Sequence, residues 1–209
     1  MIASPRCGAP TIRFGDVVSP SRAEVSSSEV DDPSDETLML TFRDGDRWAL
    51  GVLFDRYASR VEALVLRLTG RPALARDITQ TTFLSVVKGR HRYVDDCRFR
   101  PWLYTIAMNA LRDHLRRAKR EVLVPADGAM LDQGVHHDPL PDPGLRRELI
   151  AALAMLPLDQ RQAVTLHHME GLSFDEVAEV VGCSRTAAKV RAHRGYRRLR
   201  EHLKGTWEA

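Results

Sequence analysis

Residues 173–195, SFDEVAEVVGCSRTAAKVRAHRG, leave the backbone little choice. Ser173 and Glu176 have the S-x-x-E spacing of a capping box, which starts a helix by satisfying two of its orphan amides. Val177, Ala178 and Val181 are the inward positions of that helix. It must stop at Gly182, because glycine accepts the left-handed conformation that a C-terminal cap needs. Ser184 then caps a second helix with its hydroxyl. The spacing predicts two helices meeting at a tight corner.

The second helix has two different sides. At the α-helical period, Ala188, Ala192, Tyr196, Leu199 and Leu203 fall on one side and form its expected core stripe. Thr186, Lys189, Val190 and His193 lie together on a mostly separate side, with Arg185 at the tip. Arg191, Arg194, Arg197, Arg198, Arg200 and Lys204 follow, opposed within this run only by Glu201. A charge run alone describes a solvated surface. Here Ala178 stands four residues before the corner Gly182, which is helix-turn-helix spacing. A second helix with a polar, basic N-terminal end suits the major groove. Its arginines can hold phosphates and release condensed counterions.

The rest of the chain also reads as helix, with no convincing strand pattern, so the expected class is all-α. Hydrophobic residues make up 44% of the 209, enough for packed cores and too many for a wholly disordered chain. Residues 1–33 are rich in Ser, Pro and acids and lack an apolar period, which predicts a mobile tail. A first helical unit is expected over 34–117. It opens with a short helix carrying Leu38, Met39, Leu40 and Phe42, broken at Asp44-Gly45. A long helix follows to Thr69, its stripe being Leu50, Leu53, Phe54, Tyr57, Val61, Leu64, Val65 and Leu68. Gly70 ends it, and Pro72 suits the first turn of the next. In that third helix Ile78, Phe83, Val86 and Val87 point inward, while Asp77, Gln80 and Thr81 face out.

A polar loop, residues 91–100, precedes a helix opened by Pro101. Leu103, Ile106, Ala107, Ala110 and Leu111 form its apolar arc; Asn109, Arg112, Asp113, Arg116 and Arg117 lie opposite. Solvation accounts for such a polar stripe. A nucleic-acid face also does, since Asn pairs a donor with an acceptor and Arg neutralises phosphate. Tyr93 and Phe99 are either core residues or stacking residues for unpaired bases. Residues 118–144, with four prolines and four aspartates, predict a flexible acidic linker. A second unit over 145–209 begins with the stripe Leu145, Leu149, Leu153 and Leu156, then a helix from Leu158 to Glu170, then the helix-turn-helix.

Other chemistry finds little support. The pairs His136-His137 and His167-His168 lack partners at ligand spacing, so no metal or cofactor is expected and no catalytic site. Cys7, Cys97 and Cys183 are few, odd in number and far apart. They form no disulfide framework, which fits a reducing cytoplasm. No segment is apolar and long enough to span a membrane, and no signal-peptide run opens the chain. Net charge is only +3, so the distribution matters more than the sum.

These motifs together resemble the extracytoplasmic-function (ECF) subfamily of bacterial sigma factors, in the sigma-70 superfamily. Asp77-Ile78-x-Gln80-x-x-Phe83 is similar to its D-L-x-Q-x-x-F core-binding motif, though Thr81 stands where the family often has Glu. Residues 99–109, FRPWLYTIAMN, are similar to F-R-x-W-L-x-x-I-A-x-N. Leu156-Pro157, Gly171-Leu172-Ser173-Phe174-x-Glu176-Val177-Ala178 and Gly182-Cys183 are similar to its helix-turn-helix unit. The resemblance implies a transcription initiation factor that binds core RNA polymerase and helps melt the −10 region. Asp77, Gln80, Thr81 and Phe83 would meet the polymerase's largest subunits. Val94, Asp95, Asp96, Cys97 and Arg98 would cradle a flipped downstream base, beside Asn109, Arg112 and Asp113. Ser184, Arg185, Thr186, Lys189, Val190 and His193 would read the −35 element. The acidic linker would thread the polymerase interior, and an anti-sigma protein would restrain the chain. A stand-alone helix-turn-helix regulator is the alternative; co-purification with core polymerase separates the two.

Overall fold

The computed structural model describes residues 32–121 and 143–207. The expected tail over 1–33 and linker over 118–144 fall mostly outside that set. So do His136-His137, and the side chains of Leu145, Leu203 and Lys204 are not described. Among the described residues every regular element is helical.

Each early helix is bounded by the chemistry its sequence supplies. Helix α1, Asp35–Arg43, begins where the Ser34 hydroxyl accepts from the Thr37 amide at 3.1 Å. Helix α2, Arg47–Thr69, begins where Asp46 accepts from the Trp48 amide at 2.9 Å. It ends at Gly70, whose φ of 68° is the left-handed cap. Helix α3, Pro72–Gly89, opens on proline, whose missing N–H is an orphan in any first turn. A short 3-10 turn, Arg90–Arg92, leads to the loop before α4, Phe99–Glu121. Helix α4 therefore starts two residues before the expected Pro101 and runs past 117.

Helix α2 is the axle of the first unit. Leu53, Tyr57, Val61, Leu64, Val65 and Leu68 on its stripe are all buried. Phe54 was expected among them and is 45% exposed. It lies on the edge of the stripe, with its ring 4.8 Å from Phe83 of α3. Helix α4 buries Trp102, Leu103, Tyr104, Ile106, Ala107, Met108 and Leu111, so its apolar arc is wider than the sequence period indicated.

The second unit is α5, Pro143–Ala154, α6, Leu158–Val164, α7, Phe174–Val181, and α8, Arg185–Trp207. The helix expected from Leu158 to Glu170 is α6 continued by a π-helical turn, Thr165–Met169. The turn separates the histidines: His167 stacks on Phe174 at 3.9 Å, and His168 meets the edge of Tyr196 at 5.9 Å. Both are packing residues, and no group of metal-binding side chains occurs among the described residues.

Helix α8 lies so close to α6 that Gly195 has no room for a side chain. A Cβ there would stand 2.6 Å from Val164 Cγ2, a short branched side chain in the core. We expect Gly195→Val to destabilise the chain by about 1–3 kcal/mol through overpacking. An unchanged urea midpoint would contradict this packing.

The two units share one apolar core. A continuous buried cluster runs from Leu38 and Met39 in α1 through α2 and α4 to Leu166, Val177, Val180, Ala188 and Ala192. A smaller cluster of Leu153, Leu156 and Val164 stiffens the second unit.

Candidate nucleic-acid interface

The helix-turn-helix forms as its caps dictate. The Ser173 hydroxyl accepts from the Glu176 amide, and the Glu176 carboxylate accepts from the Ser173 amide at 2.8 Å. Burial pushes the Glu176 carboxyl up, but the two bonds to Ser173 and the Arg98 guanidinium hold it below the ordinary range. Gly182 turns the chain with φ 74°. Ser184 then accepts from the Ala187 amide at 3.1 Å. Ala188 and Ala192 are fully buried, with Tyr196 and Leu199 half-buried behind them.

This packing fixes which side of α8 faces out. Ser184, Arg185, Thr186, Lys189, Val190 and His193 are all exposed on it. Val190 is 40% exposed, an apolar spot among polar neighbours that can meet a thymine methyl. Two of the arginines have carboxylate partners within the chain. Arg185 lies 3.6 Å from Asp175, and Arg191 lies 3.5 Å from Asp159. Both pairs are solvent-exposed, so they cost little to break.

The loop of residues 94–98 is held from below and open above. The Tyr93 hydroxyl donates to the Cys97 carbonyl. The Cys97 amide donates to the Val94 carbonyl at 3.0 Å, closing a turn. Arg43 of α1 reaches the loop, donating to Asp95 at 2.6 Å. Val94, Asp95, Asp96 and Arg98 remain exposed. Cys183, beside the corner glycine, is a free thiol.

Tyr93 and Phe99 do not stack on anything outside the protein. Their side chains are 1% and 0% exposed. They form an aromatic cluster with Tyr57 and Trp102, with ring centroids 5.1–6.4 Å apart. The Glu36 carboxylate of α1 caps α4 from across the fold, accepting from the Phe99 amide at 3.0 Å. Nothing local to α4 signals that cap.

On α4 itself Asp113, Arg116 and Arg117 are exposed, and Asn109 and Arg112 are half-buried. Arg112 donates one Nη to Asn109 and the other to the Val180 carbonyl of α7, the latter at 2.8 Å. Burial holds its guanidinium below the usual value. On α3, Asp77, Gln80 and Thr81 are exposed together. Phe83 is only 6% exposed, so it supports that face from beneath and does not present itself on it.

Among the described residues three polar faces thus follow one another on a helical frame, on α3, on the 94–98 loop with α4, and on α8, in the order of the motifs. The sigma-70 region 2 family profile matches residues 53–121, and the sigma-70 region 4 profile matches residues 146–199. The RNA polymerase sigma factor CarQ of Myxococcus xanthus is 44% identical over 79% of this chain and 95% of its own length. The ECF RNA polymerase sigma factor SigE of Mycolicibacterium smegmatis is 33% identical over 94% and 82%. The chain belongs to the ECF group of sigma-70 factors. The fold agrees: the sigma factor RpoE, solved in complex with the anti-sigma factor NepR from Bartonella quintana, has a TM-score of 0.65 and 25% identity. That likeness covers 74% of this chain and 96% of the other. This sigma factor is therefore a regulatory transcription initiation factor. None of its described helices is long and apolar enough to cross a membrane.

Proposed function

We propose that this sigma factor brings core RNA polymerase to promoters by dividing recognition between its two helical units, within about the boundaries 34–117 and 145–209. The observation that carries the reading is the exposure of Ser184, Arg185, Thr186, Lys189, Val190 and His193 on one side of α8. These residues read the duplex −35 element. Val94, Asp95, Asp96, Cys97 and Arg98, with Asn109, Arg112 and Asp113, take the unpaired −10 strand. Asp77, Gln80 and Thr81 dock on the polymerase's largest subunits, with Phe83 shaping the face from below. The chain performs no chemistry of its own; polymerase does, in the cytoplasm where both reside.

The energetics favour this division. Unstacking a base step costs a few kcal/mol, so bases must be captured only as the strands part. Each unit alone offers few contacts, and polymerase supplies the fixed spacing that turns two weak sites into one strong one. The partner of the related RpoE structure, an anti-sigma factor, supports a restraining protein of that kind for this chain too.

Run-off transcription with reconstituted core polymerase on genomic fragments, followed by mapping of start sites, tests the reading. No stimulation on any template would end it. Within that assay, Asn109→Ala should lower promoter opening by up to roughly tenfold, the worth of one hydrogen bond. Permanganate reactivity of unpaired thymines should fall while duplex binding in a gel shift holds. Equal losses in both would remove Asn109 from the downstream site.

A further inference from the structure

The loop of residues 94–98 is gripped at both ends by α1. Leu38, Met39 and Phe42 bury one side of that helix in the core. Glu36 and Arg43, seven residues apart, share another side, two turns and about 10 Å from each other along the axis. Glu36 takes the far end of the loop, accepting from the Phe99 amide at 3.0 Å. Arg43 takes the near end. Its Nη1 donates to the Tyr93 carbonyl at 3.3 Å and to Asp95 Oδ1 at 2.6 Å. Its Nε donates to Asp44 at 3.2 Å, so the guanidinium is fixed from two sides. The Asp95 side chain is still 73% exposed with that one oxygen held, and the rest of the carboxylate faces outward. Asp96 beside it is exposed as well.

We propose that Arg43 is a positioning residue for strand capture: from α1 it sets the Asp95 carboxylate to accept a hydrogen bond from the exocyclic amine of the captured base. The inference rests on the reading of residues 94–98 as the loop that takes that base. Carboxylates repel phosphates, so two of them on a loop that meets a polyanion answer to another part of the strand. An ionised carboxylate can only accept. Adenine, cytosine and guanine each carry an amine for it, and thymine carries none. Thymine would also set a carbonyl oxygen against the carboxylate. The loop therefore takes an amino-bearing base and rejects thymine. An exposed aspartate without a partner samples several rotamers, and ordering one of them on binding costs affinity. Arg43 orders Asp95 in advance and offsets charge that would repel the neighbouring phosphates. An ion pair this exposed contributes little to stability; its effect is on where Asp95 points.

The test uses full-length sigma factor reconstituted with core polymerase. The probes are forked templates of a mapped promoter, with a duplex −35 element and an unpaired non-template −10 strand in which each position carries each of the four bases in turn. Binding is measured by competition at one salt concentration. For wild type, thymine at one unpaired position should bind at least about tenfold more weakly than the best amino-bearing base, the worth of a hydrogen bond to a charged group. Asp95→Asn, whose amide both donates and accepts, should bring that ratio within about threefold. Arg43→Ala should do the same with its circular dichroism and urea midpoint close to wild type. Arg43→Lys keeps the charge and loses the planar fork, and should fall between. Adding Arg43→Ala to Asp95→Asn should change the ratio no further, because the arginine acts through the aspartate. If Arg43→Ala weakens every probe equally and leaves the ratio intact, the arginine only stiffens the fold and the inference is overturned. If Asp95→Asn removes the discrimination and Arg43→Ala leaves it whole, the positioning role falls and the reading of the loop stands. If no unpaired position discriminates against thymine, or Asp95→Asn leaves the ratio unchanged, Asp95 reads no base, and the loop assignment beneath the inference falls with it.

Discussion

Replacing Arg185 and Lys189 together by alanine should lower occupancy of the −35 duplex by at least roughly thirtyfold, because each base-edge contact contributes about 1–3 kcal/mol. Both side chains are exposed at the start of α8. The only described pairing at risk is the Arg185–Asp175 contact at 3.6 Å, which lies at the surface. Stability should therefore stay within about 0.5 kcal/mol of wild type. That separation makes the result interpretable, since a folded variant that binds poorly has lost recognition. The second half of the expectation concerns sequence. Once a contact is gone, changing the base it read should cost nothing more. Binding to wild-type and base-substituted −35 duplexes, measured at one salt concentration, should converge in the variant. A loss of the same size on every duplex, accompanied by a shallower salt dependence, would mean that the two residues hold phosphates and read no bases. Arg197→Ala is the comparison for that outcome. It lies further along α8, 3.9 Å from Glu201, beyond the residues assigned to base edges. It should alter the salt slope and leave discrimination intact.

The helix-turn-helix was legible because its information is local. Ser173 and Glu176 are three residues apart, Gly182 marks its own turn, and Ser184 caps its own helix. The α8 stripe is likewise one helix's period, and the exposed side of the helix follows from it by exclusion. What could not be read was contact between distant parts of the chain. Glu36 caps α4 across 63 residues, and Arg67 meets Glu170 across 103. In sequence each is one more charged residue near a helix end. Phe54 shows the limit of the periodic argument from the other side. Period places it on the stripe, but it sits at the margin of the α3 contact, where its ring meets the edge of Phe83 and stays 45% exposed. The π-helical turn at Thr165–Met169 is a third case. Helical periodicity continues through it, yet the turn is what places Glu170 to face the first unit. For the same reason the sequence suggested two beads on a string. The seam between them joins apolar residues such as Leu166 and Val177 to charged side chains, Glu170 and Arg67, that each unit, read separately, would leave to solvent.

The larger stability effect should come from a residue that touches no DNA. Phe99→Ala should destabilise the chain by about 3–5 kcal/mol, the usual cost of emptying an aromatic site in a core. Its ring is fully buried, with Tyr57 at 5.3 Å and Trp102 at 6.2 Å. Its amide is the one capped by Glu36. The residue begins α4 and ends the loop that carries Val94 to Arg98, so the cavity would loosen the positioning of that loop. Urea unfolding and run-off transcription, taken on the same preparations, separate this account from the alternative in which Phe99 is a wedge between unstacked bases. A wedge would lose promoter opening with its unfolding midpoint intact. A core residue loses the midpoint first, and opening fails only as the loop it supports becomes disordered. Tyr93→Phe sharpens the comparison. It keeps the ring and deletes only the hydroxyl that donates to the Cys97 carbonyl, so it should cost about 0.5–1.5 kcal/mol and impair opening through the loop alone. If Phe99→Ala instead moved the midpoint by less than about 1 kcal/mol while abolishing opening, the aromatic cluster would be a tool for melting DNA, because emptying a packed core site costs more than that.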